Sequence, residues 1–236
     1  MHSVMKREGD IACVIAQAIG NGGHCPPDWY WPEVRVLCDK YASLLIFDDI
    51  PSGLGKTGVL FNSELFDVMP DMTVLGKALG GTVMPVAALI ADARLDSAPE
   101  LNLGYFTHEK NPLMARAGLI TRDIIKKNRL AEGAKVLGPS LLTRLVELQQ
   151  RHANVVERVR GRGLALSLDF VTQADVSTNT RSRAEAVFFR CIERRMIVNY
   201  PGYGWTLKLS LPLNIEQNDI DLAVNVLNDA LADEAS

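Results

Sequence analysis

Apolar positions along the chain fall into short unbroken runs separated by longer helical stripes, a pattern that predicts alternating strands and helices. Residues 11–19 (IACVIAQAI), 44–47 (LLIF) and 72–75 (MTVL) are runs without polar alternation. Such runs suit strands covered on both faces of a parallel sheet. Between the first two, Gly20–Gly23 and Pro26–Pro27 read as a loop, Asp28 as an N-cap, and Trp31 to Tyr41 as a helix with Val34, Val36, Leu37 and Tyr41 on its stripe. Strand, loop, helix and strand make a βαβ unit, for which a right-handed crossover is the rule. The Gly20–Gly23 stretch reads as a turn and not a phosphate loop, because no helix begins directly after it.

Further on, Val83 to Ile90 is a short strand and Asp92 to Leu95 a helical turn. Pro112 suits the first turn of a helix running to Lys127, with Leu113, Ala117, Ile120, Ile124 and Ile125 on one face. A second stripe, Leu130, Ala134, Leu137, Leu141, Leu145 and Leu148, extends to Arg151; it reads as core packing, with Pro139 as the place for a kink. Val159, Leu164, Leu166, Leu168 and Phe170 alternate like a half-buried strand. Ala184 to Arg194 is a helix, Ile197–Val198 and Trp205 to Ser210 are strands, and Glu216 to Leu231 is a last helix with an acidic start. The expected architecture is α/β: a mainly parallel large domain over residues 1–128, then a smaller α+β domain over 129–236.

Composition narrows the function classes. The chain has 236 residues, is 47% hydrophobic and carries a formal net charge of −3. That balance, with no basic stripe interleaved with aromatics, gives no support for nucleic-acid binding. No apolar run reaches the roughly 18 residues of a membrane span, and the start, MHSVMKREGD, lacks the apolar stretch of a signal peptide. Cys13, Cys25, Cys38 and Cys191 are scattered, as are His2, His24, His108 and His152. The cysteines read as reduced thiols of a cytoplasmic protein, and a metal site is not expected.

Candidate chemistry sits at two strand ends. The 44–47 run stops at Asp48 and Asp49; the 72–75 run stops at Gly76 and Lys77, followed by Ala78-Leu79-Gly80-Gly81. A carboxylate leaving an apolar strand needs compensation, so the Asp48–Asp49 tip is expected to meet something positive. An acid and an amine at neighbouring strand ends can hold pyridoxal phosphate. The amine forms an imine with the aldehyde, and the acid keeps the pyridine nitrogen protonated. Ligands of open α/β sheets sit outside the carboxyl ends of the strands. On spacing alone, a strand-end cap and a solvated loop lysine are the commoner outcome.

The words around these residues are more specific. FDDIPSGLGKTG followed by PDMTVLGKALGG closely resembles the signature of class III, fold type I, pyridoxal-phosphate enzymes. That signature reads D-E-[VI]-Q-[ST]-G-[FL]-G-[RK]-T-G, then P-D, then [ST]-x-[GS]-K-[AG]-[LI]-G-G-G. The resemblance implies Asp48 at the pyridine nitrogen, Ile50 packed on the ring face and Lys77 as the Schiff-base residue. It also implies a homodimer with a shared active site, because Thr107, in register with Asn111-Pro112, matches a threonine that donates to the cofactor phosphate of the opposite subunit. Aminotransfer on a small amine or amino acid is the activity it implies. The chain resembles only the C-terminal part of the family. The segment holding the glycine-rich phosphate loop, the ring-stacking aromatic and several strands would lie before residue 10. A sheet lacking those strands is expected to expose an apolar edge and face.

Departures from the family pattern leave alternatives open. The family's E-P after the first strand is Gln17-Ala18 here, and Pro51 stands in place of the usual glutamine near the ring hydroxyl. His108-Glu109-Lys110 replaces an aromatic and two small residues, which makes His108 a candidate substrate contact and equally a surface-loop histidine. Lys208 replaces an arginine that often clamps a substrate carboxylate. A lysine is a point charge without the planar fork, so Lys208 is either a substrate contact or a strand lysine reaching water. An ammonia-lyase or epimerase of the same family, acting for example on an aminophosphonate or phosphoamine, is the first alternative. A non-catalytic dimerisation or binding remnant is the second.

Overall fold

The computed structural model describes residues 1–98, 100–101, 107, 110–172, 182–200 and 204–235. The chain divides into two compact units. The first comprises Met1–Asn21, Pro26–Gly55 and Val59–Arg129; the second comprises Gly22–Cys25, Lys56–Gly58 and Leu130–Ser236.

The first unit is built on a four-stranded sheet of β1 (Cys13–Ala16), β2 (Leu44–Asp48), β3 (Met72–Leu75) and β4 (Ala88–Ala91), in that order. β1, β2 and β3 run parallel, and β4 is antiparallel to β3. α1 (His2–Glu8) precedes the sheet and ends in a left-handed Gly9. α2 (Tyr30–Lys40) makes the crossover from β1 to β2. Its Trp31 packs edge-on against Phe47 with ring centroids 4.8 Å apart, and the indole N–H donates to the Ala18 carbonyl. Around this contact Ile19, Val34, Cys38, Leu45, Phe66 and Val68 form the core. β2 is sealed on that face, where Leu45 and Phe47 are fully buried, while Leu44 and Ile46 on the opposite face are only half-buried. The expected double cover of this strand is therefore realised on one side only.

Asp71 fastens β2 at its start. Its carboxylate accepts from Leu45 N–H at 2.8 Å, from Arg35 at 2.7 Å and from Arg94. Burial pushes its pKa up, but these bonds outweigh burial and hold the carboxyl below its ordinary value. α3 (Pro112–Lys127) begins with Asn111 as N-cap, whose side chain accepts from Leu113 N–H.

The second unit packs α4 (Leu130–Arg151), α5 (Arg183–Glu193) and α6 (Gln217–Ala235) with an antiparallel sheet, β5 (Val156–Arg162), β6 (Ala165–Phe170) and β7 (Thr206–Ser210). The leucine stripe of α4 enters the core: Leu141, Leu145 and Leu148 are buried with Leu166, Leu168, Phe170, Val187, Leu207 and Leu227. α4 runs unbroken through Pro139.

α4 approaches the β5–β6 turn through two glycines. A Cβ on Gly138 would lie 2.5 Å from Gly163 Cα, and a Cβ on Gly163 would lie 2.5 Å from the Lys56 carbonyl oxygen. Gly163 also has a left-handed backbone, φ 59°. Both obstacles are backbone and cannot rotate away. Gly163→Ala is therefore expected to cost about 3 kcal/mol, from overpacking and from left-handed strain. Thermal unfolding should show a loss of roughly 10 °C; a loss under roughly 2 °C would mean that this approach is loose.

Several element boundaries differ from the sequence expectation. The first strand is four residues, Cys13–Ala16, and Ala18 and Ile19 are core residues beyond its end. The strand expected from Val83 begins only at Ala88, because Pro85 has no N–H to give the ladder. The N-cap of α2 is Trp29, with no side-chain cap bond, and not Asp28. Ile197 and Val198 form no strand: among the described residues β7 pairs with β6 alone, and Ile197 is 91% exposed.

Candidate active site

Parallel pairing brings the two expected strand ends side by side. Asp48, the last residue of β2, stands opposite Val74 of β3, and Asp49 N–H continues the ladder to the Val74 carbonyl at 3.0 Å. Because side chains alternate along a strand, Asp48 and Asp49 point to opposite faces: Asp48 is half-buried and Asp49 only 2% exposed.

Asp48 keeps acceptor capacity toward the open face. One oxygen accepts from Ile50 N–H at 3.1 Å, and the other lies 3.4 Å from Gln17 Nε2. Gln17 is itself anchored, since its Oε1 accepts from Asn21 N–H at 2.7 Å. Ile50 folds back over the next strand end. A Cβ placed on Gly76 would sit 3.4 Å from Ile50 Cγ2 and 3.6 Å from Cγ1, so the missing side chain at Gly76 leaves room for that contact. Lys77 follows at once. It is exposed, its backbone is left-handed at φ 46°, and it opens a 3-10 turn, Lys77–Gly80. That turn is held from behind: α3 passes close enough that a Cβ on Gly118 would lie 3.6 Å from Leu79, and one on the left-handed Gly81 would lie 2.9 Å from Thr121 Oγ1. A lysine in the left-handed region carries about 1 kcal/mol of local strain, here placed on a braced support.

The expectation that the Asp48–Asp49 tip meets a cation is corrected for Asp49. Its carboxylate is satisfied by an amide: Asn62 N–H at 2.8 Å and Asn62 Nδ2 at 3.0 Å. Burial pushes the Asp49 pKa up; the two Asn62 bonds oppose this and neighbouring Asp48 adds to it.

The structure brings Asp48, Ile50 and Lys77 together in the first unit. Thr107 lies in the same unit as an exposed turn residue four positions before Asn111. His108 lies outside the described residues. Lys208 belongs to the second unit, on β7, facing away from the core residues Leu207 and Leu209. There it meets the loop residues Gly22–Cys25: a Cβ on Gly22 would lie 3.6 Å from Lys208 Cε, 3.7 Å from an Arg160 guanidinium nitrogen and 3.7 Å from the His24 ring. Three nitrogen-bearing side chains thus converge on one backbone position. Burial lowers the His24 pKa, and Arg160 lowers it further.

In the sequence Gln17 reads only as a loop departure from the family's E-P pair, without bearing on the cofactor chemistry; the structure sets it beside Asp48. Ala16 pairs with Phe47 in the parallel register, so the next residue, Gln17, necessarily lies beside Asp48. The signal was available: two parallel strands of matched length place the residues just after them together.

Among the described residues, no helix is long and apolar enough to cross a membrane, and no group of three or more His, Cys, Asp or Glu could hold a metal ion.

Comparison with known proteins agrees with this arrangement of elements. The model of the family described as aminotransferase class-III matches residues 1–231. The chain is 33% identical over 230 residues to (R)-1-hydroxy-2-aminoethylphosphonate ammonia-lyase of Vibrio splendidus (strain 12B01), covering 97% of this chain and 48% of that protein. Among solved structures it resembles an acetylornithine aminotransferase from Elizabethkingia anophelis with a TM-score of 0.89 at 26% identity, over 98% of this chain and 60% of the other. It also resembles a Bacillus anthracis aminotransferase with a TM-score of 0.87 at 27% identity, over 98% and 55%. The chain therefore spans about half the length of the relatives it matches. With its residues matched almost end to end, it belongs to the aminotransferase class-III family and shares the fold type I architecture of these structures over the matched length.

Proposed function

We propose that this chain carries the cofactor-holding strand ends of a pyridoxal-phosphate-dependent aminotransferase acting on a small amine or amino acid. The observation that supports the reading is that Asp48 and Ile50 stand at the carboxyl end of one strand and Gly76-Lys77 at the carboxyl end of its parallel neighbour, with Ile50 against Gly76. The residues present fit the group. A half-buried carboxylate with spare lone pairs suits a protonated ring nitrogen, an aliphatic side chain over a glycine suits a ring face, and an exposed lysine suits an aldehyde.

When bound, pyridoxal phosphate supplies a protonated ring that accepts electrons from the substrate carbon next to nitrogen. Asp48 would hold the proton at the pyridine nitrogen, and Ile50 N–H and Gln17 would keep its carboxylate aimed. Ile50 would exclude water from one ring face. The Lys77 amine would attach the cofactor, then take and return the proton at the substrate carbon. Thr107 reaching a phosphate across a homodimer, a substrate contact from His108, and a cytoplasmic location belong to the same reading.

A second reading is an ammonia-lyase on an aminophosphonate or similar anionic amine. The Vibrio splendidus relative favours it. The experiment is addition of pyridoxal phosphate to the purified chain, followed by amine substrates with and without a keto acid. Yellow absorbance and keto-acid-dependent amine transfer are the expected results. Ammonia released without an acceptor selects the lyase. A colourless chain that takes up no cofactor overturns both and leaves a non-catalytic remnant.

A further inference from the structure

Among the described residues at these strand ends, Asp49 is the carboxylate that the proposed chemistry leaves unused, and it is nearly inaccessible at 2% exposure. Its surroundings form a connected chain of donors and acceptors. Asn62 N–H and Nδ2 donate to its two oxygens, Asn62 Nδ2 also donates to Ser52 Oγ at 2.9 Å, and the Ser52 hydroxyl donates to the Ile19 carbonyl at 3.0 Å. Its backbone is equally committed: the N–H to Val74 of β3, and the carbonyl to Gly53 N–H at 2.9 Å. A Cβ on Gly53 would lie 2.8 Å from that carbonyl oxygen, so the turn presses directly on residue 49.

Residue 49 thus joins the strand that presents Asp48, the strand that leads to Lys77, and the turn that starts at Ile50. We propose that Asp49 is a positioning residue for the cofactor site, acting through the backbone of Asp48 and Ile50; this rests on the pyridoxal-phosphate reading. Holding Asp49 inward on Asn62 keeps Asp48 on the opposite face, because neighbouring strand side chains alternate.

The chemistry demands a carboxylate there. Ser52 has one hydrogen, and Ile19 takes it. Asn62 must therefore present its amide NH2 both to Ser52 Oγ and to residue 49. In Asp49→Asn an amide NH2 would face that NH2, and flipping either amide moves the conflict to Ser52 or to Asn62 N–H. Only an acceptor-only group at 49 satisfies every partner.

The test uses the whole chain as wild type, Asp49→Asn and the milder Asn62→Ser. Pyridoxal phosphate is titrated at a temperature where far-UV circular dichroism shows all three folded. The readouts are the dissociation constant and the circular dichroism of the bound cofactor, which reports ring orientation. Asp49→Asn is expected to weaken binding about tenfold and to change the cofactor dichroism, with Asn62→Ser intermediate. Should Asp49→Asn fail to fold, Asn62→Ser alone decides. Variants that melt earlier but keep the wild-type dissociation constant and dichroism would show a purely structural carboxylate and overturn the proposal. A wild type that takes up no pyridoxal phosphate overturns the cofactor reading itself, and this inference with it.

Discussion

Lys77→Ala is expected to abolish covalent uptake of pyridoxal phosphate while leaving the fold unchanged. Lys77 is exposed, so a side-chain truncation there should move stability by no more than about 0.5 kcal/mol. The loss falls on chemistry. With no amine at this strand end nothing attaches the aldehyde or moves the proton at the substrate carbon, and any turnover should fall by roughly 10²–10⁴. Lys77→Arg should fail as well, since a guanidinium stays protonated and cannot act as a nucleophile. The backbone makes a third variant informative. At φ 46° a lysine is strained and a glycine is not, so Lys77→Gly should be inactive yet more stable by about 1 kcal/mol. The rival amine is Lys56. Burial lowers its pKa, and its ammonium donates to the Leu211 carbonyl. Borohydride reduction of the loaded chain followed by peptide mapping distinguishes them: the label is expected on Lys77, and a label on Lys56 would remove Lys77 from the mechanism.

The strand ends were legible because they rest on strong local signals. Leu44–Asp48 and Met72–Leu75 came out as strands, since an apolar run ending abruptly in a charge or a glycine has few other readings. Their adjacency was legible only through the family resemblance. Periodicity does not order strands in a sheet, and the parallel register that sets Asp48 opposite Val74 is a tertiary fact. Partner identity was legible least. The Asp48–Asp49 tip was expected to meet a cation, yet Asp49 closes on Asn62, thirteen residues away along a turn whose course depends on Gly53 and Ser52. Hydrogen-bonding amides solve buried-charge problems as well as cations do, and composition does not choose between them. The corner at Gly22 was hidden for another reason. His24 lies between β1 and α2 in sequence, but it packs with Arg160 and Lys208 in the second unit, and no local pattern announces such a loop crossing.

Asp169→Ala is expected to destabilise the second unit by about 3 kcal/mol at neutral pH. Asp169 is 7% exposed, on the face of β6 opposite Leu168 and Phe170. One of its oxygens accepts from Arg160 at 2.7 Å and from Arg158 at 3.1 and 2.9 Å; the other accepts from Arg160 at 2.8 Å and Thr206 at 2.7 Å. The two arginines are unequal. Arg158 is 65% exposed and its share should stay under about 1 kcal/mol. Arg160 is only 14% exposed, and it also donates to the Gly22 carbonyl, fixing the loop beside Lys208. Alanine at 169 would leave that guanidinium buried without its anion, the situation that makes breaking a buried pair expensive. The pH dependence has a definite sign. Burial pushes the Asp169 carboxyl up, but Arg160, Thr206 and Arg158 overcome it and hold it far below the usual carboxylate range. A depressed folded-state pKa gives stability that is complete above the unfolded value near about 3.9 and is lost as pH falls below it. The gap between wild type and Asp169→Ala in urea midpoint should therefore be equal at pH 7 and pH 5.5, on the order of 1 M, and should close only in strong acid. A gap that shrinks already between pH 7 and pH 5.5, or one worth less than about 1 kcal/mol throughout, would mean that water already solvates the Arg160–Asp169 pair and that something else holds the Gly22 loop beside Lys208.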